Sequence, residues 1–166
     1  MNILAIDPGK SGGICVMYGN GALIGQARRH YDVRELPLCH GLPDVGTIQT
    51  LIIGYNVKVV VLERQQIRSR QRGQLSIGIG YGMLKATAIL CGVEVVELRP
   101  QDWQNTLNLS GDKQEHIDYA EAAGFDIPWT SYKKNGEPTA RANKHDGIAD
   151  AVCIALAYRE MVKRND

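Results

Sequence analysis

The sequence predicts an α/β domain in which a central mixed five-stranded sheet is flanked by helices. Three observations carry this: short apolar runs that end at turn residues, longer stretches with helical apolar spacing, and the interleaving of the two along the chain. The length, 166 residues, suits one compact domain with a sizeable core, so residues 1–166 are read as a single unit.

The first strand runs from Ile3 to Asp7 and is broken by Asp7-Pro8-Gly9. A second, Gly12 to Tyr18, is followed by the hairpin signal Gly19-Asn20-Gly21 and a third strand over Ala22 to Arg29, which makes an opening antiparallel meander. A loop with Pro37, Gly41 and Pro43 leads to a helix capped near Asp44 that carries Ile48, Leu51 and Ile52. Val57 to Glu63 is a continuous apolar run, the pattern of a strand buried on both faces. An arginine-rich stretch joins it to a long helix from Gln74 to Cys91. Val93 to Leu98 is the last strand. Pro100 then opens a short helix in which Trp103 reads as core, and Gly111 or Asp112 caps a helix through Ala123. A loop from Asp126 to Asn143 precedes a final helix from His145 to Lys163.

Hydrophobic and charged contents of 44% and 22% are those of an ordinary globular protein, and no apolar run approaches the roughly 18 residues of a membrane span. The chain enters a strand at once, without the features of a signal peptide, so a cytoplasmic location is expected. The cysteines Cys15, Cys39, Cys91 and Cys153 are widely spaced and read as reduced. Cys39-His40 has no matching ligand pair for zinc.

Net charge is +1, but its distribution is uneven. Arg64, Arg68, Arg70 and Arg72 form one basic stretch, and Lys133, Lys134, Arg141 and Lys144 form another. A negative centre between two such arms suits a phosphate backbone.

That centre is expected from four acids. Asp7 and Glu63 close apolar strands, and neighbouring strands lie about 4.8 Å apart. Asp146 and Asp150 are four residues apart on the last helix, hence on one face, and that face continues through Cys153 and Ala157 toward the sheet. An Asp-Pro-Gly turn or a charged helix start alone would mean little. Two carboxylates about 4 Å apart, however, repel by about 4 kcal/mol at a surface-like dielectric. Four together require cations or protons. Mg²⁺ takes oxygen ligands and keeps waters that phosphate oxygens can replace. Two ions about 3.5–4 Å apart can generate hydroxide and stabilise a leaving oxygen.

Three stretches, Ile3-Leu-Ala-Ile-Asp-Pro-Gly, Val60-Val-Leu-Glu-Arg-Gln and Asp146-Gly-Ile-Ala-Asp-Ala, together with the order of elements, resemble the RuvC-type Holliday junction resolvases. These crossover junction endodeoxyribonucleases, phage members among them, belong to the ribonuclease-H-like superfamily. The resemblance spans essentially the whole chain. It implies a homodimeric, Mg²⁺-dependent endonuclease, with Mn²⁺ as a substitute, that nicks opposed strands of a four-way DNA junction in a bacterial or phage-infected cell. Asp7, Glu63, Asp146 and Asp150 would be its catalytic metal ligands. Lys113, in Gly-Asp-Lys-Gln, resembles a lysine that the family carries near its active site. Together with the two basic stretches it is a candidate DNA contact.

Two departures stand out. Bacterial members place the last two ligands three residues apart, and that position here is Gly147. The third ligand then falls to Asp146 or His145, and Asp146 is favoured because it offers oxygen. An aromatic residue that follows the strand glutamate in bacterial members is replaced by Gln65, Gln66, Ile67 and Arg68, which leaves the cleavage-sequence preference open.

Competing readings are a broader fork or flap nuclease, a non-catalytic branched-DNA binder, and a kinase-like ATPase suggested by Gly9, Gly12 and Gly13. The ATPase needs two lobes, more than this length allows, and Gly78-Ile-Gly-Tyr-Gly82 does not join a strand to a helix start. No nucleotide cofactor is expected. The glycines Gly78, Gly80 and Gly82 call instead for close backbone approach, to a dimer partner or to DNA.

Overall fold

The structure, a computed structural model, describes residues 1–9, 11–19, 30–65, 73–130 and 143–165. The strands are β1 (Ile3–Ile6), β2 (Gly13–Met17), β3 (Tyr31–Glu35), β4 (Leu38–Cys39), β5 (Leu42–Pro43), β6 (Val59–Glu63) and β7 (Glu94–Leu98). The helices are α1 (Val45–Gly54), α2 (Gln74–Leu90), α3 (Pro100–Leu107), α4 (Lys113–Ala122) and α5 (Asp146–Asn165).

The main sheet has the order β3-β2-β1-β6-β7, and β4 and β5 form a small separate ladder. Pairing is antiparallel for β1–β2 and β2–β3 and parallel for β1–β6 and β6–β7. This is the expected mixed five-stranded sheet, with one strand that was not anticipated. The strand that pairs with β2 is Tyr31–Glu35, with Cys15 opposite Val33. The expected third strand, Ala22 to Arg29, lies outside the described residues. Charged Asp32 and Arg34 suit β3, which forms one edge of the sheet and so is protected against further pairing.

Side chains alternate across a strand, so each central strand contributes to two layers. Leu4, Ile6, Ile14, Val16, Val60 and Leu62 point to one face and pack with Ile48, Leu51 and Ile52 of α1 and Leu84 and Ala88 of α2. Ile3, Ala5, Cys15, Met17, Val59 and Val61 point to the other. There they meet Trp103 of α3, Ile117 and Ala120 of α4, and most of α5 from Ile148 to Ala157. Each fully buried aliphatic side chain contributes about 1.5–3 kcal/mol, which makes these two layers the main stabilising term.

Local signals fix the helix starts. The Asp44 carboxylate accepts from the Gly46 and Thr47 N–H groups, and Asp112 does the same for Gln114 and Glu115. In α2, Gly80 faces Pro43, where an added Cβ would lie 3.1 Å from the proline ring, whereas Gly78 and Gly82 face open space. One of the three glycines thus serves packing within the chain. All four cysteines are free. Among the described residues no helix is long and apolar enough to cross a membrane.

Candidate active site

The two-residue alternation continues past the apolar part of β1 and β6. After Ile3 and Ala5 the next residue on the α5 face is Asp7, and after Val59 and Val61 it is Glu63. The register places Ile6 beside Leu62, so the two acids follow on adjacent parallel strands. Asp7 is only 9% exposed. Its Oδ1 accepts from the Gly9 N–H at 3.0 Å, the local bond of an Asp-Pro-Gly turn.

The helix that brings the other acids is held against this strand end by backbone contact. Gly12 and Gly147 form a parallel bridge. A Cβ on Gly147 would lie 2.1 Å from the Ser11 carbonyl oxygen, and one on Gly13 would lie 2.5 Å from the Gly147 carbonyl oxygen. Position 147 therefore has no room for a carboxylate. The acid at 146 and the acid at 150 bracket a glycine that the packing requires. The same contacts account for Gly12 and Gly13 without a bound phosphate.

Every acid has its own donor. Trp103 Nε1 donates to Glu63 Oε1 at 3.1 Å. Lys113 Nζ, on the first residue of α4, pairs with Asp146 Oδ2. His116 Nδ1 lies 2.6 Å from Asp150 Oδ1, and His116 Nε2 lies 2.8 Å from the Ser110 carbonyl oxygen. That carbonyl can only accept, so Nε2 carries a hydrogen, and a bond to ionised Asp150 needs a second one on Nδ1. Lys113 and His116 are three residues apart on α4 and reach acids four apart on α5.

The electrostatics are those of crowded carboxylates. Burial pushes Asp7 up to about 6, and the Asp150 charge adds to it against the Gly9 N–H. Burial pushes Glu63 up to about 7, with the Asp7 and Asp150 charges raising it further against the Trp103 N–H. Each of the two carboxyls is thus held above its ordinary value, chiefly by burial. For His116 burial acts downward, but the bonds to Asp150 and the Ser110 carbonyl outweigh it and leave the imidazole above its usual value.

Among the described residues no three Asp, Glu, His or Cys side chains already close on one point as a metal cluster would. The acids are instead held by the Gly9 N–H, Trp103, Lys113 and His116. As a donor set they suit a hard divalent cation: all oxygen, with two members driven toward protonation by burial first and by neighbouring carboxylate charge second.

His145 stands apart from this arrangement. Its Nδ1 accepts from the Ile148 N–H at 3.2 Å, and its Nε2 lies 3.6 Å from Glu35 Oε1. Of the basic candidates, Arg64 is exposed beside the Glu97–Tyr81–Lys85 cluster. Lys144 pairs with Glu121 and sits over the Trp129 ring. Arg68, Arg70, Arg72, Lys133, Lys134 and Arg141 lie outside the described residues. Sequence reasoning missed His116 entirely and read Trp103 as core rather than as a DNA-stacking ring, although the 113–116–120 spacing on α4 marks a face turned inward at His116 and Ala120.

No protein-family model and no curated protein sequence matches the chain. Solved structures do. RuvC of T. thermophilus in complex with a Holliday junction substrate is 21% identical with a TM-score of 0.66, covering 99% of this chain and 96% of that one. The yeast mitochondrial Holliday junction resolvase Ydc2 is 21% identical with a TM-score of 0.54, covering 95% of this chain and 77% of that one. The fowlpox virus resolvase, in complex with substrate Holliday junction DNA, is 19% identical with a TM-score of 0.52, covering 98% of this chain and 99% of that one. The fold is thus the ribonuclease-H-like α/β fold seen in RuvC and other Holliday junction resolvases.

Proposed function

We propose that the chain is a divalent-metal-dependent endonuclease that resolves four-way DNA junctions by paired nicks in opposed strands. One observation carries the reading: Asp7, Glu63 and Asp150 act on one another electrostatically at the end of a single sheet face. They do so in a fold whose solved neighbours include two proteins bound to Holliday junction DNA. Strand ends with no function have no reason to gather acids whose proton affinity is raised, as those of Asp7 and Glu63 are.

Asp7, Glu63, Asp146 and Asp150 would hold Mg²⁺, two ions in the full site, with Mn²⁺ as a substitute. Such ions supply an activated water and charge neutralisation at the phosphate. Asp146 is preferred to His145 because it offers oxygen, the donor Mg²⁺ favours, whereas His145 turns its Nδ1 to the Ile148 N–H. The chain's own residues prepare the site. The Gly9 N–H orients Asp7, Trp103 orients Glu63, and His116 orients Asp150. Lys113 neutralises Asp146 from a mostly exposed side chain that is long enough to turn to a phosphate.

Arg64, Lys113 and Lys144 would contact the DNA backbone, and the basic residues of 68–72 and 133–141 are candidates for the same role on sequence grounds. A second copy would dock on α2, where Leu75 and Ile79 are exposed and Gly78 and Gly82 leave room for close approach. A cleavage panel of a four-way junction, a fork and a linear duplex in Mg²⁺ tests the reading. Paired nicks in opposed strands of the junction are expected. Equal cutting of fork and junction would favour the broader branched-DNA nuclease, junction binding without any cutting would favour the non-catalytic binder, and cutting of plain duplex would contradict the proposal.

A further inference from the structure

We infer that Trp103 and His116 act as one positioning unit, which sets where Glu63 and Asp150 stand relative to each other. This rests on the metal-site reading above and adds residues to it that no acid motif contains. Trp103 is on α3 and His116 on α4, while the acids they hold are on β6 and α5. Their rings meet edge to face, with centroids 4.9 Å apart at 67°. Both are almost completely buried, at 1% and 3% exposure.

Each ring is fixed at both sides. His116 is anchored through Nε2 to the Ser110 carbonyl and turns Nδ1 to Asp150 Oδ1. Trp103 packs in the α5-side core and turns its only donor to Glu63 Oε1. The Cys153 thiol of α5 lies 3.6 Å from the His116 carbonyl oxygen, which ties α4 to the helix that carries Asp150. In each acid the bond engages one oxygen and so fixes the direction of the other. Two half-buried carboxylates that repel each other would turn apart if left alone. The ring contact couples their two supports, so neither acid can shift without disturbing the other's donor. Groups in this relation to metal-ligating side chains typically contribute about 10–100-fold in metal affinity.

Titration calorimetry with Mn²⁺ on the DNA-free protein tests this. Trp103→Phe keeps an aromatic ring against His116 and removes the donor to Glu63. His116→Leu removes the donor to Asp150, and His116→Asn restores an amide near the Nδ1 position. Trp103→Phe and His116→Leu should each weaken Mn²⁺ binding by about 10–100-fold, and His116→Asn should recover most of the loss. The double variant Trp103→Phe/His116→Leu should lose little more than the weaker single, as members of one unit do. Thermal unfolding reports whether each variant is folded. Should His116→Leu fail to fold, Trp103→Phe against His116→Asn carries the same comparison. A folded Trp103→Phe that binds Mn²⁺ like the parent overturns the inference, as does a double variant whose losses simply multiply. A parent protein that binds no Mn²⁺ overturns both the inference and the metal-site reading, whereas a parent that binds, with unaltered variants, overturns the inference alone.

Discussion

The two faces of the central sheet are built from the same strands and end differently. On the face toward α1 and α2, Leu4, Ile6, Val60 and Leu62 form an unbroken apolar wall. On the face toward α5 the same alternation runs through Ile3, Ala5, Val59 and Val61, then reaches Asp7 and Glu63. One face is optimised for burial. The other gives up stability at its end to hold charges that repel, the usual signature of a functional site.

The largest effect separating the faces should appear in catalysis. Asp150→Asn removes one carboxylate charge without changing side-chain size. It should abolish Mg²⁺-dependent junction cleavage, a loss greater than the roughly 100-fold expected for a merely supporting residue, while gel-shift binding of the junction persists. Residual cutting near the parent rate would remove Asp150 from the proposed metal site.

Stability should move in opposite directions on the two faces. Leu62→Ala, in the apolar wall, should cost about 2–5 kcal/mol in chemical denaturation. Its neighbour Glu63→Gln should instead stabilise the metal-free protein at pH 7.5, by about 1 kcal/mol, because it removes a half-buried charge and keeps an acceptor for Trp103. Destabilisation by Glu63→Gln would show that the acid end costs the fold nothing. The smallest effect concerns the periphery. Junction binding should weaken steeply with salt through counterion release, and Arg64→Ala should remove about one unit from the slope of log affinity against log salt. An unchanged slope would place Arg64 away from the DNA.

How much of this was legible in the sequence follows from where each signal resides. Asp7 and Glu63 were visible because a single apolar run of fixed periodicity decides which way its last residue points. Asp146 and Asp150 were visible because helix spacing is equally rigid. The third strand of the meander was not. The described part of it, Tyr31–Glu35, was not anticipated, since an edge strand's place is set by its neighbour more than by its own propensity, and the expected segment 22–29 lies outside the described residues. His116 and the Trp103 N–H were hidden for a related reason. A histidine in a polar helix and a tryptophan in a short one acquire roles only when α3, α4 and α5 pack together. Gly147 was noted as a departure from the bacterial pattern, but its cause, backbone contact with Ser11 and Gly12, exists only in three dimensions.

The central claim is that the acid end of the α5 face lacks positive charge that a divalent cation supplies. Asp7 and Glu63 are raised in the folded protein from 3.8 and 4.5 to about 6 and about 7, so the fold binds extra protons between roughly pH 4 and pH 7. Their contribution to stability is therefore greatest below the unfolded values and declines as pH rises through the folded ones. His116, also raised, acts in the same direction. Carboxylates lowered by exposed partners, such as Asp102 and Glu160, act in the opposite direction, and only up to their ordinary values. Thermal unfolding in EDTA and in excess Mn²⁺, at pH 5 and pH 7.5, tests the claim most directly. The account predicts a midpoint that falls from pH 5 to pH 7.5 in EDTA, and a Mn²⁺-induced rise of about 5 °C at pH 7.5 that shrinks at pH 5. Identical midpoints with and without Mn²⁺ at pH 7.5 would contradict it.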